Sequence, residues 1–387
     1  MGRTLNIALV AGEASGDLLG GALIEALREL LPDARFVGLA GKQMRAAGCE
    51  PLGSPDELAV MGLVEPLAHL PRLLSLRSRL RRELLARRVD LFVGVDAPAF
   101  NLGLARWLRD RGVPTVQYVS PQVWAWRSGR VKSIARAVDA VLCLLPFEPQ
   151  CYAGQPVRAE FIGHPLADRI PLQSQRADAR RQLGLAEHEL VVAVLPGSRE
   201  GELRRLGADF AAATVLLQQR LGRPLRFLAP MVSPALAGAF DSQLRAAGAD
   251  VRLLEGRADQ VLAAADAGLI ASGTATLQAM LHGLPMVVAY RLAPLTAFIV
   301  RDLGLVRLRH FSLPNLLAGE RVVPEFFQGE VRPQALAEAL HAALIDQSRR
   351  TALQVRFRAI HERLRRGAAA RAAQVLVEVL EARGVAA

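Results

Sequence analysis

Lysine is nearly missing from this sequence of 387 residues. Only Lys42 and Lys132 appear, so the 48 basic residues are almost all arginine, and they leave a formal charge of +11. Two readings of that charge stay open: a coding preference for arginine, or attraction to an anionic surface of nucleic acid or membrane. Cysteine is sparse as well. Cys49, Cys143 and Cys151 form no CxxC pair, and an odd, scattered set fits buried thiols in a reducing compartment. No run reaches the ~18–20 uninterrupted apolar residues of a membrane-spanning helix. Met1 leads at once into a strand-like stretch, Leu5 to Ala11, without the basic, apolar and small-residue succession of a signal peptide. There is no internal repeat, no metal-ligand spacing of His, Cys or carboxylates, and no DxD pair. These absences predict a soluble or peripheral cytoplasmic protein with no bound metal or cofactor.

What is present points to two medium-sized α/β domains. The composition is 51% hydrophobic and 22% charged, enough to bury sizeable cores. Apolar runs alternate with helical patterns: Leu5–Ala11, Arg35–Ala40, Asp90–Asp96, Val113–Val119 and Ala137–Leu144 in the first half, with a helix over Asp17–Leu31. A polar stretch, Gln173–Ala186, precedes a second series at Leu190–Leu195, Leu225–Ala229, Val251–Leu254, Ala267–Ala271 and Met286–Ala289. Continuous apolar strands separated by helices predict parallel sheets covered on both faces. We expect one domain over residues 1–165, a second over 188–345, and helices over 346–387 that pack back on the first. Two such domains would face each other across a cleft at the carboxyl ends of their strands.

Four loops have the residues for chemistry. After the first strand comes Gly12-Glu13-Ala14-Ser15-Gly16-Asp17. It lacks the GxGxxG spacing of a dinucleotide site. Asp17 suits a helix cap, whereas Glu13 ends a strand where a ligand would bind. Asp96 ends a very apolar strand ahead of Ala97-Pro98-Ala99-Phe100-Asn101. Its carboxylate suits a general base, with a helix cap as the structural alternative. In the second half, Pro196-Gly197-Ser198-Arg199 and Ala271-Ser272-Gly273-Thr274 each join a strand to a helix. Helix starts offer free N–H groups to phosphate, and Arg199 adds a bidentate fork. Gln278 falls one turn beyond Thr274, where it can bond a ribose hydroxyl. Two such starts in one domain suggest a nucleoside diphosphate.

His164, followed by Pro165, reads as a junction residue that contacts ligand or backbone. Trp124 and Trp126 are core aromatics or stacking platforms. Over Val64–Arg88, Leu73, Leu76, Leu80 and Leu84 recur at helical spacing among seven arginines, with Val64, Leu67, Leu70 and Leu74 adding apolar surface upstream. A basic amphipathic segment of this kind can lie in a membrane interface. We expect Leu76–Arg88 to cover the core, and Val64, Leu67, Leu70, Leu73 and Leu74 to meet membrane or acyl chains.

Taken together, VAGEASGD (Val10–Asp17), GVDAPAFN (Gly94–Asn101), YVSPQVWAWR (Tyr118–Arg127), LPFE (Leu145–Glu148), FIGHP (Phe161–Pro165), LPGSR (Leu195–Arg199), ASGTATLQAML (Ala271–Leu281) and SLPNLLAG (Ser312–Gly319) resemble the lipid-A-disaccharide synthases, in order over nearly the whole chain. The resemblance implies a GT-B glycosyltransferase of two Rossmann-like domains. The implied donor is UDP-2,3-diacylglucosamine and the acceptor 2,3-diacylglucosamine 1-phosphate (lipid X). The products would be a β-1,6-linked disaccharide 1-phosphate and UDP. It maps functional positions onto Glu13, Asp96, Arg199 and Asn315. Ser198, Ser272, Gly273, Thr274 and Gln278 complete the expected UDP site, and Ser15, Asn101 and His164 the acceptor site or its loops. Where this chain has Gln278 the family commonly has glutamate. The resemblance also implies association with the cytoplasmic face of a Gram-negative inner membrane, and a homodimer with exchanged C-terminal segments.

An α-linked donor and a β-linked product require inversion. Asp96 is the leading base, with Glu13 as its rival or as a sugar-orienting group. Two other functions remain in view: a UDP-sugar epimerase of the same architecture, and a nucleic-acid-binding protein. The first needs no apolar Val64–Leu74 stretch, and the second lacks any recognisable binding motif. Helix ends and Arg199 stand where a cation would neutralise the leaving diphosphate. Disaccharide formation is therefore expected to survive thorough chelation. Activity lost with EDTA and restored by magnesium or manganese would contradict that arrangement.

Overall fold

The computed structural model describes residues 4–59, 70–124, 128–292 and 309–385. The chain divides into two compact units, Met1–Asp168 with Leu364–Ala387, and Arg169–Arg363.

The first unit is built on β1 (Asn6–Ala11), β2 (Arg35–Leu39), β3 (Cys49–Gly53), β4 (Leu91–Val95), β5 (Thr115–Tyr118), β6 (Ala140–Cys143) and β7 (Arg158–Phe161). All pair in parallel, in the order β3-β2-β1-β4-β5-β6-β7. Alternation along β1 shows why. Ile7, Leu9 and Ala11 enter one core with Leu23, Ile24 and Leu27 of the helix Ala14–Leu30. Ala8 and Val10 enter the opposite core with Leu76, Leu80 and Leu84 of the helix Leu70–Ala86. A strand buried on both faces has no polar side to show, so it reads as one apolar run.

The second unit repeats the plan with β8 (Leu190–Leu195), β9 (Leu225–Met231), β10 (Arg252–Glu255), β11 (Ala267–Ala271), β12 (Met286–Tyr290) and β13 (Glu325–Phe327). These are also parallel, in the order β10-β9-β8-β11-β12-β13. The sequence pattern misses β3, β7 and β13. All three are edge strands, where one side of the ladder is unpaired and charges such as Glu50, Glu160 and Glu325 are tolerated.

The polar stretch Gln173–Ala186 falls between the two expected domains, 1–165 and 188–345. It belongs to the second unit and holds the helix Arg176–Leu183. Arg180, only 2% exposed, explains why. Its guanidinium donates to Asp266 at 2.9 Å and to the carbonyls of Ala264, Ala186, Glu187 and Glu189 at 2.8–3.0 Å. The closing helices also divide differently from the expected 346–387 block. Most of the helix Gln347–Leu364 lies in the second unit, and the return to the first begins at Leu364.

The last helix, Ala368–Ala382, then packs Ala372, Ala373, Val375, Leu376 and Leu380 into the first core of its own chain. Polar contacts fix its start and its outer face. Asp168 accepts the N–H groups of Gly367 and Ala368 at 2.9 and 2.6 Å. Arg371 pairs with Glu160, and Arg158 with Glu378. Removing such a cap typically costs ~0.5–2 kcal/mol. Asp168→Ala is therefore expected to lower the unfolding free energy extrapolated from urea titration by that amount, and the midpoint with it. An unchanged midpoint would leave the ion pairs and apolar face as sufficient anchors.

Candidate functional site

Glu13, Ser15 and Asp96 lie at the switch point of the first sheet and Ser198, Arg199, Ser272, Gly273 and Thr274 at that of the second, where strand order reverses and open α/β sheets bind ligands. His164, by contrast, follows the edge strand β7, and Asn315 lies between β12 and β13. In the first unit the switch point lies between β1 and β4, whose last residues pair as Ala11 with Val95. The two loops that leave there touch. A Cβ on Gly12 would stand 2.3 Å from the Cβ of Ala97, so no larger residue fits without movement. Asp96 and Ala97 both have left-handed backbones, with φ of 52° and 42°. Non-glycine residues in such conformations cost of order 1–3 kcal/mol each. The helix Pro98–Arg109 follows at once, with proline in its first turn.

Asp96 is held through its backbone. Its N–H donates to Tyr118 O at 2.8 Å. Its carbonyl accepts Asn101 Nδ2 at 2.8 Å and Gln117 Nε2 at 3.0 Å. Ala97, not Asp96, takes the N-cap position of the following helix. Burial pushes the Asp96 carboxyl above its ordinary range, opposed by the Ala97 N–H. Glu13 is exposed at the N-cap of its own helix and makes no side-chain cap bond, and Ser15 is exposed beside it. Asp17 is a cap, but of another helix. Its carboxylate accepts the N–H groups of Gly41, Gln43 and Met44 at 2.7–3.2 Å, at the start of Lys42–Ala46.

Asn101 is fully buried. It reaches Val10 O at 3.1 Å as well as Asp96 O, so it belongs to the loop's support and not to an acceptor surface. His164 likewise turns inward. Its Nδ1 accepts Leu166 N–H at 3.1 Å, its own N–H donates to Leu364 O at 2.8 Å, and burial brings its pKa down to about 4, with Asp168 opposing. Trp124 packs edge-on against Phe147, with centroids 5.4 Å apart. Glu148 of LPFE accepts the N–H groups of Leu144 and Leu145 at 2.9 Å, and burial pushes its pKa up to about 7 against those bonds. The sequence reading assigned Gln117 and Glu148 no role. A glutamine inside the apolar strand TVQY was the available signal for the first.

In the second unit the switch point lies between β8 and β11, and the two helix starts there are not equivalent. At the helix Glu200–Leu221, Glu202 accepts Ser198 N–H at 2.9 Å and stands 3.8 Å from Arg199 Nη1. The expected phosphate position is thus covered by the helix's own acid, although Arg199 remains 68% exposed. The helix Thr274–Leu281 has no acid in its first turn and no side-chain cap, and Gly273 and Thr274 are exposed. Ser272 anchors that loop through Oγ to Phe311 O at 3.2 Å.

Two assignments change. Asn315 is fully buried, and its amide closes the 315–323 loop: Nδ2 donates to Val323 O at 3.0 Å, and Oδ1 accepts Val322 and Val323 N–H at 2.8 and 2.9 Å. It shapes the loop, with Oδ1 saturated by two N–H groups and the whole side chain out of solvent. Gln278 donates Nε2 to Asp259 Oδ1 at 2.5 Å. His282 and Arg169 also meet that carboxylate, and together these contacts bring its pKa down to about 2, the His282 bond foremost. A glutamate at 278 would set two carboxylates against each other, so the amide suits its neighbour. Its Oε1 is left to accept from a ligand.

Of the lipid-facing set, Val64 and Leu67 lie outside the described residues, as do Trp126 and the side chain of Leu70. Leu73 packs against the core, because it shares the face of Leu76, Leu80 and Leu84. Leu74 is 53% exposed. Several of the nearby arginines have internal partners: Arg77 lies over Phe100, Arg81 over Trp107, and Arg79 pairs with Glu57. Among the described residues no helix is long and apolar enough to cross a membrane, and no group of three or more His, Cys, Asp or Glu could hold a metal ion.

Comparison with known proteins adds the family. Residues 7–379 match the sequence model of a family described as lipid-A-disaccharide synthetase. A lipid-A-disaccharide synthase of Azotobacter vinelandii is 50% identical over 383 residues, covering 98% of this chain and 100% of the relative. Among solved structures, Anabaena HepE in complex with UDP and glucose superposes with a TM-score of 0.57 at 15% identity, covering 98% of this chain and 100% of that one. UDP-GlcNAc 2-epimerase from Neisseria meningitidis bound to UDP-GlcNAc gives 0.60 at 11% identity, with the same coverage. At these identities the structural likeness concerns fold alone.

The raised Asp96 pKa has a consequence for stability. The folded state holds this proton more tightly than the unfolded chain, so Asp96 lowers stability as pH rises from the ordinary aspartate range through the raised value. Asp96→Asn removes the ionisation and keeps a residue tolerant of positive φ. The variant is expected to melt above the wild type at neutral pH, with the gap closing in acid. A gap independent of pH would contradict the shift.

Proposed function

The chain belongs to the lipid-A-disaccharide synthase family, and from that premise we propose that it joins UDP-2,3-diacylglucosamine to lipid X with inversion. It is a glycosyltransferase of lipid A biosynthesis with a GT-B fold. The observation that carries the mechanism is the Asp96 carboxyl, raised by burial and set on a rigid turn at a switch point. In the proposed reaction Asp96 accepts the proton of the acceptor 6-hydroxyl as that oxygen bonds to the anomeric carbon. The bond from that carbon to the diphosphate breaks, and its electron pair leaves with UDP. A positioned base contributes typically 10²–10⁴ in rate. Glu13, exposed and uncapped, orients sugar.

The nucleotide roles fall to the second unit. The open helix start at Gly273–Thr274 receives the diphosphate, with Ser272 fixing its loop. Arg199 and Ser198 approach from the neighbouring loop, with Glu202 withdrawing as the diphosphate binds. Gln278 Oε1 accepts a ribose hydroxyl. The reaction as drawn uses no metal and no cofactor, since the UDP-sugar is a substrate. Exposed Leu74 and the exposed Arg72 and Arg82 of the helix Leu70–Ala86 support peripheral attachment to anionic lipid at the cytoplasmic face of the inner membrane. In a homodimer with exchanged C-terminal segments, the face of Ala368–Ala382 that covers its own first unit would cover the partner's.

The deciding assay supplies both acylated sugars and follows UDP and disaccharide together. Equal release of both is expected. UDP-sugar isomerised without any need for acceptor would favour the epimerase reading instead. Asp96→Asn is expected to lower turnover by ~10²–10⁴ with UDP affinity nearly unchanged, and Glu13→Gln to raise the acceptor KM more than it lowers kcat. A near-wild-type Asp96→Asn beside an almost dead Glu13→Gln would move the base to Glu13.

A further inference from the structure

Two buried primary amides meet at the backbone of Asp96, and neither is explained by packing. Asn101, from the helix Pro98–Arg109, and Gln117, from β5, are both 0% exposed. Their donor nitrogens lie 2.8 and 3.0 Å from the same acceptor, Asp96 O. Their acceptor oxygens, Asn101 Oδ1 and Gln117 Oε1, are buried without a hydrogen-bond partner. Orphaned amide oxygens are unfavourable in a core, and apolar residues of the same shape would avoid them. Space is also set aside for the pair. A Cβ on Gly94 would fall 2.7 Å from Asn101 Cβ and 3.0 Å from Gln117 Oε1.

The same glutamine reaches a second strained point. Its Nε2 lies 3.3 Å from Tyr118 O and 3.4 Å from Val119 O. Val119 has φ of 75°, an outlier for a β-branched residue. Gln117 therefore stands where two adjacent strands, β4 and β5, both leave the sheet through left-handed non-glycine residues. Strain retained at a binding edge and held by an unusual polar clamp is a mark of preorganisation.

We propose that Gln117 and Asn101 are positioning residues: their amides clamp the Asp96 carbonyl and so fix the backbone from which the Asp96 carboxylate meets the acceptor hydroxyl. This role rests on the assignment of Asp96 as the base. Neither amide touches substrate; both act through the turn, and the orphaned oxygens follow from directing two donors at one carbonyl.

The test is a double-mutant cycle. Gln117→Met and Asn101→Leu keep approximate shape and remove the donors. Each is made alone and together with Asp96→Asn, and kcat, acceptor KM, UDP affinity and thermal midpoint are measured. A small misplacement of a reacting group can cut rate by as much as ~10²-fold. Each single variant is expected to lose ~10–100-fold in kcat, with KM and UDP affinity changed less than ~2-fold. In the Asp96→Asn background the same change is expected to lower kcat by less than ~2-fold, because the group being positioned is gone. Equal losses in both backgrounds would overturn the clamp and leave a structural role. So would unchanged kcat in both single variants. Wild-type turnover in Asp96→Asn is a separate outcome: it would remove the base assignment, and the clamp's purpose with it. Each amide is tested independently, so a fold lost in one variant leaves the other as the test.

Discussion

A left-handed turn made of two non-glycine residues persists only where its surroundings over-determine it. Asp96 and Ala97 form such a turn, and the residues around it are arranged to permit it. Gly12 leaves room for the Ala97 methyl group and Gly94 for two amides. Tyr118 receives the Asp96 N–H, and Asn101 and Gln117 meet its carbonyl. The turn sets a carboxyl group at the sheet's switch point in an environment that disfavours its charge. The strain, the burial and the chemistry are three aspects of one arrangement.

The second unit meets a different constraint, which is the management of arginine. A guanidinium offers five donors in a fixed fork, and an ammonium cannot copy that geometry. Arg180 satisfies four carbonyls and a carboxylate from inside the protein. Arg291 joins Arg205 O, Asp209 and Val331 O. In the first unit Arg371 and Arg158 fasten the last helix. Much of the arginine excess is therefore scaffold, which gives the scarcity of lysine a structural sense. The acids matter equally. Glu202 covers one helix start while the start at Thr274 stays open, so the two loops that look alike in sequence divide the labour.

Central strands were legible, two of them to the residue and the rest within three residues at either end. Leu190–Leu195 and Ala267–Ala271 are buried along almost their full length, and an apolar run leaves little doubt about its ends. Three of the four edge strands, β3, β7 and β13, were not, because half of each ladder is free and their composition follows neighbours instead of a period. The site loops were legible as loops, since Gly12, Gly197 and Gly273 mark chain reversals. The functions of single polar residues were harder. Asn315 and Asn101 belong to motifs that suggest ligand contact, yet both amides point into their own loops. Asp17 suited a cap, but only the tertiary structure says which helix it caps. Gln117 bonds to a strand end that is 21 positions away, and no local pattern contains that distance.

The claim on which the account stands is that Asp96 takes the acceptor proton, and a crystal structure with UDP and the acylated acceptor bound addresses it most directly. The account predicts the attacking hydroxyl within hydrogen-bond reach of the Asp96 carboxylate, about 2.6–3.2 Å, with Asp96 and Ala97 still left-handed. A hydroxyl bonded to Glu13 instead, with Asp96 turned away from the acceptor, would contradict it.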